Sequence, residues 1–80
     1  MGGVDPSAVG VMTAVRQRPT RRQLEVLRAY MAAGSIALAA HRLGVSESTA
    51  RQLLSALYRR TGCLNAAQAA YRLGAGQLVA

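Results

Sequence analysis

One histidine, His41, one cysteine, Cys63, and three acids, Asp5, Glu25 and Glu47, are the whole supply of acid–base and metal-binding side chains. General acid–base work needs paired groups, and metal sites need clustered ligands. The chain has no HxxxH, no CxxC and no carboxylate pair. A Cys63–His41 nucleophile pair can be written down. However, Cys63 stands between Gly62 and Leu64 and reads as a small buried hydrophobe. His41 reads as a helix-surface residue or one lying near a phosphate. Gly74 and Gly76 lack a following lysine and a βαβ context, so they make no phosphate loop. The expectation is a protein that is not an enzyme, with no catalytic residue, no metal and no cofactor.

The charge points to a different chemistry. Ten basic residues face three acids in 80 residues, a formal net charge of +7. All ten are arginine, and Phe and Trp are absent. That usage reads as a GC-rich, bacterial coding sequence rather than as chemistry. The surplus of positive charge does not follow from codon bias. It implies a polyanionic partner, nucleic acid ahead of a membrane surface.

The elements that position these arginines must come from one small domain. A chain of this size buries only about 60% of its unfolded surface. Hydrophobic residues make up 51%, too many for a disordered chain. A single cysteine excludes an intramolecular disulfide and suggests a reducing compartment. No apolar stretch approaches the roughly 18 to 20 residues that span a bilayer. No basic region followed by an apolar run marks a secretory signal. A cytoplasmic location without membrane contact is expected.

Apolar spacing predicts an all-α fold. Residues 1–19 read as a leader or short amphipathic helix, with Asp5 and Pro6 as start signals and Ala8, Val11, Met12 and Val15 on one face over 6–17. Arg18-Pro19 would end it. Thr20 and Gln23 have capping-box spacing for a helix bearing Leu24, Leu27 and Met31, with Val26 and Tyr30, closed by Gly34. Ser35 caps a helix over 36–43 ending at Gly44, with Leu43 and Ala39 or Ala40 facing the core. Ser46 caps a helix over about 47–60 with Ala50, Leu53, Leu54, Leu57 and Tyr58 at helical spacing, stopped by Gly62. Asn65 and Gln68 open a last helix carrying Ala66, Ala69, Ala70 and Leu73 to Gly74. Residues 20–76 thus form a four-helix domain, and residues 77–80 a short apolar tail.

The pair of helices joined through Gly44-Val45-Ser46 has a helix-turn-helix pattern. Gly44 lets the chain turn left-handed. Val45 plugs the gap between the helices. Ser46 caps the second helix and leaves its first amides aimed at a docking anion. Ser48, Arg51, Gln52, Ser55 and Arg59 fall on or near that helix's polar side. Arginine can bond guanine in a bidentate way, and glutamine can do the same with adenine. The plain alternative is an amphipathic helix of a small bundle with solvated arginines, and the basic surplus favours the DNA reading over it.

The stretch PTRRQLEVLRAYMAAGS…LAAHRLGVSESTARQLLSALYRRTGCLNAAQAA resembles the LuxR/GerE-type DNA-binding domain. Thr20, Arg22, Glu25, Val26 and Leu27 match that family's opening LT-x-RE-x-EVL. Ala40, Leu43, Gly44, Val45, Ser46, Glu47, Thr49 and Leu57 match its central block without a gap. Tyr58-Arg59-Arg60, Gly62, Asn65, Gln68 and Ala69 match the closing block. The likeness covers residues 19 to about 74. It implies a tetra-helical helix-turn-helix fold whose third helix enters the major groove and whose last helix pairs with a second copy. Position by position, it implies base contacts by Arg51, Gln52 and Ser55. It implies phosphate contacts by Ser48, Thr49, Arg59 and Arg60, with Arg22 a further candidate.

The departures are also specific. Pro19 stands for the family's leading leucine, and Leu53 for a common histidine. The family's glycine position is Ala33, with Gly34 one residue later. Ile36-Ala37-Leu38 replace a polar run, and Ala39 replaces an isoleucine. Leu64 and Ala66 stand where basic residues are frequent. Ile36 and Leu38 read as local repacking first and as a protein-contact patch second.

The expected function is a transcription regulator that binds double-stranded DNA as a homodimer through the last helix. The alternative is a protein-interaction module, binding a polymerase subunit or another regulator through the N-terminal helix and Ile36/Leu38. A membrane-surface helix over 6–18 is disfavoured, since it is short and lacks an aromatic anchor. Nineteen residues ahead of the motif hold no receiver or ligand-binding domain. The expectation is therefore a stand-alone effector or a fragment of a larger regulator, and the Met1 start favours the former.

Overall fold

Four side-chain caps divide the chain into four helices in the computed structural model, which describes residues 17–80. These are α1 (Arg21–Ala33), α2 (Ile36–Leu43), α3 (Glu47–Thr61) and α4 (Ala66–Gly74). There is no strand among the described residues. The expected helix over 6–17 lies outside them.

Each helix begins where a polar side chain can satisfy an orphan amide. Thr20 and Gln23 form a reciprocal box. The Gln23 amide donates to Thr20 Oγ1 at 3.1 Å, and the Thr20 amide donates to Gln23 Oε1 at 2.9 Å. Ser35 accepts from the Leu38 amide at 3.1 Å. Asn65 accepts from the Gln68 amide at 2.9 Å, and Gln68 Oε1 accepts from the Leu64 amide at 2.7 Å. The exits of α1, α2 and α3 are glycines in the left-handed region. Gly44, at φ 69° and ψ 30°, matters most, because it sets the α2–α3 turn. No atom lies within 4 Å of where its Cβ would stand, so glycine is required there by backbone angle rather than by space.

The core is shared by every element. Leu24, Val26 and Leu27 of α1 meet Ala40 of α2 and Ala50, Leu54 and Leu57 of α3, with Cys63, Ala69 and Leu78 beyond them. Tyr30, Ile36, Leu43, Val45, Leu53, Tyr58 and Leu73 pack around this centre. Burying one such leucine contributes about 1.5–3 kcal/mol. The small Ala39, Ala40 and Ala50 let the helices approach closely.

Three details depart from the sequence reading. Met31 is 47% exposed rather than part of the apolar stripe. It lies in the last turn of α1, next to Tyr30, which does pack against the core. Ile36 packs against the core while Leu38 stays exposed, so the two do not form one surface patch. The expected tail over 77–80 contributes Leu78 to the core, and its approach is fixed by the Gln77 amide bonding the Arg72 carbonyl at 2.8 Å.

Candidate nucleic-acid interface

The Gly44 turn, the Ser46 cap and the two-faced composition of α3 build the site. Val45 packs against the core and ties the turn down. Ser46 Oγ accepts from the Thr49 amide at 3.0 Å and donates its proton to Thr49 Oγ1 at 3.0 Å. The Thr49 hydroxyl therefore keeps its own proton for an outside acceptor, next to the positive end of the helix.

Along α3 the buried residues are Ala50, Leu54, Leu57 and Thr61, at steps of four, three and four. Leu53, Ala56 and Tyr58 flank them half-buried, while Arg51, Gln52, Ser55, Arg59 and Arg60 are exposed. Ser48, Gln52, Ser55 and Arg59 repeat the same steps on the opposite side, with Arg51 beside them. From Ser48 to Arg59 this stripe runs about 16 Å at 1.5 Å per residue. All three expected base-contacting residues, Arg51, Gln52 and Ser55, are thus brought together on one exposed face. Ser48 and Thr49 stand at its start, and Arg59 and Arg60 at its end. Arg22 belongs to α1 and is exposed, with its Nη1 2.9 Å from Glu25 Oε1.

Two members have partners that spacing had not assigned. Arg51 Nη2 lies 3.1 Å from Glu47 Oε1, one turn back on the same helix. The signal was in the sequence, since Glu followed by Arg at i+4 is a favourable helical pair. Arg60 donates through Nε to the Arg18 carbonyl, a contact between distant segments that no local pattern announces. One of its five N–H groups is used there, and four remain.

Both carboxylates among the described residues, Glu25 and Glu47, are engaged in these pairs. Among those residues, Arg18, Arg21, Arg28, Arg42, Arg59 and Arg60 are exposed and have no carboxylate within 4.0 Å. Arg18, Arg21, Arg28 and Arg42 had not been singled out. Their signal was only the overall charge surplus.

The remaining reactive groups are spread out. His41 is exposed on α2. Cys63 is a buried free thiol, 3.2 Å from the Thr61 hydroxyl, which donates to the Leu57 carbonyl at 2.7 Å. No group of three His, Cys, Asp or Glu side chains able to hold a metal occurs among the described residues. Burial pushes the Tyr58 phenol above its ordinary value, helped by the neighbouring Tyr30 and Cys63.

The last helix leaves apolar groups uncovered. Leu64, just ahead of the Asn65 cap, is 81% exposed, and Tyr71, two turns on, is 73% exposed. Arg72 turns the other way, its Nη1 donating to the Thr61 carbonyl at 3.1 Å across the end of α3. No helix among the described residues is long and apolar enough to cross a membrane. Compared with protein-family models, curated proteins and solved structures, the chain finds no match.

Proposed function

We propose that the protein is a DNA-binding transcription regulator that inserts α3 into the major groove. The observation that carries this reading is the exposed stripe Ser48, Arg51, Gln52, Ser55 and Arg59, borne on a helix whose opposite side is locked into the core. A rigid helix with hydrogen-bonding side chains on its free face has the shape and chemistry that base edges require. Arg51, Gln52 and Ser55 read bases. Ser48, Thr49, Arg59 and Arg60 hold phosphates, and Arg22 joins them when it leaves Glu25. No carboxylate among the described residues opposes Arg59 and Arg60, so neutralising phosphates there breaks no ion pair.

The exposed Leu64 and Tyr71 favour a second copy meeting the last helix. Two copies would present their α3 helices to half-sites about one helical turn apart, or a multiple of it. A protein-interaction module is the second reading. The exposed Leu38 and Met31 favour it, while Ile36 is taken up by the core.

The deciding experiment is an anisotropy titration with random-sequence duplex at low and moderate salt. The DNA reading expects binding that weakens steeply as salt rises. Absence of salt-dependent binding would overturn it in favour of the interaction module. A bacterial, cytoplasmic setting belongs to the same proposal.

A further inference from the structure

We infer that Glu47 is a specificity-determining residue of the same interface, acting by positioning Arg51 for a guanine and by penalising contacts made to phosphate alone. The inference rests on the DNA-binding reading and deepens it. Glu47 Oε1 accepts from Arg51 Nη2 at 3.1 Å, and both side chains are more than half exposed, at 51% and 63%. A guanidinium has two edges that can make paired hydrogen bonds, the Nε–Nη2 edge and the Nη1–Nη2 edge. Each edge uses one Nη2 hydrogen. Glu47 takes one of those hydrogens, so one edge is occupied and the other stays whole. The open edge is the one a guanine O6/N7 pair needs.

Holding Arg51 this way has two consequences. The side chain is partly ordered before binding, so less freedom is lost when it meets a base. The cation also no longer stands free for any phosphate that passes. Glu47 adds a negative charge to the first turn of α3, where the helix end would otherwise attract backbone phosphates indiscriminately. A duplex that gives Arg51 a guanine offsets the cost of bringing this carboxylate close to DNA, whereas a duplex that offers only backbone does not. The pair therefore widens the gap between right and wrong sequences, a repulsive contribution to specificity.

The test begins with the best-bound duplex selected by the wild-type protein from a random pool. Dissociation constants are then measured for that duplex, a scrambled one, and a copy with 7-deazaguanine for guanine, which lacks the N7 acceptor. In Glu47→Gln the scrambled duplex should bind roughly two- to fivefold tighter, the range expected for one exposed charge pair. The ratio of selected to scrambled affinity should fall by at least that factor. The 7-deazaguanine copy should cost the variant less than it costs the wild type. Glu47→Asp keeps the charge but shortens the reach, so its scrambled-duplex affinity should stay near wild type while discrimination drops. Equal change on both duplexes in Glu47→Gln, or wild-type discrimination in Glu47→Asp, would overturn the role of Glu47 and leave DNA binding standing. A wild-type protein that binds no duplex would overturn both.

Discussion

Arg60 and Arg18 are joined across 42 positions of sequence, the guanidinium Nε–H of the first donating to the backbone carbonyl of the second. The return bond is nearby, with the Gln17 amide donating to the Arg60 carbonyl at 2.6 Å. The segment leading into α1 is thus strapped to the last turn of α3. Pro19, between the strap and the Thr20 cap in sequence, is buried.

The strap makes Arg60 a structural residue as well as a phosphate candidate. Arg60→Ala should lose about 0.5–1.5 kcal/mol, the net value of one hydrogen bond. Native-state hydrogen exchange is the direct check. The Gln17 amide should lose protection in the variant, while amides of the α3 core keep theirs. Unchanged exchange at Gln17 would show that the guanidinium does not hold the strap.

Leu57 is fully buried in the core cluster that also holds Leu24, Val26, Leu27 and Cys63. Leu57→Ala should cost about 2–5 kcal/mol through lost transfer energy and the cavity left behind. A domain this size has about 4–12 kcal/mol in total, so the variant stands near the edge of unfolding. The half-buried Leu53 should tolerate alanine better. Urea midpoints for the two variants rank them, and equal midpoints would contradict the burial difference.

Much of this frame was legible because the chain punctuates its helices with side-chain chemistry. Thr20, Ser35, Ser46 and Asn65 each carry an oxygen that a helix start needs, and Gly34, Gly44 and Gly62 supply the left-handed exits. The exposed stripe of α3 was legible for the same reason, since a helix period fixes which residues share a face. Leu78 and the Arg60 strap were not. Both depend on where a distant segment returns, and nothing in the spacing around residue 18 or residue 78 encodes that. The exposure of Met31 was not legible either, because periodicity marks the side of a helix but not whether another segment covers each residue on it.

Alkaline solution should weaken the fold through Tyr58. Its phenol is raised above 10.0, chiefly by burial, so the folded protein holds that proton more tightly than the unfolded chain does. Below pH 10 the stabilisation is present in full. As pH rises from there toward the folded value, the native state binds more protons than the unfolded one, so stability falls. The chain has no lysine to add to the alkaline titration. Tyr58→Phe keeps the ring and removes the proton, so its denaturation midpoint should decline less above pH 10 than the wild type's. Parallel declines would show that Tyr58 does not carry the alkaline limb.

Arg51 and Arg59 should separate base reading from phosphate holding, because they stand two turns apart on the same exposed side of α3. Arg51→Ala should cost about 1–3 kcal/mol on the selected duplex and relax preference at one base position. On scrambled duplex it should cost much less, since Arg51 is already paired with Glu47 and contributes little free charge. Arg59→Ala should weaken every duplex alike and lower the slope of log affinity against log salt by about one. Neither substitution removes a buried group, so both proteins should keep their helical signal and melting temperature. If Arg51→Ala harms selected and scrambled duplexes equally, Arg51 is one more phosphate contact. The discriminating contacts would then have to come from Gln52 and Ser55, the other two polar groups on the same stripe.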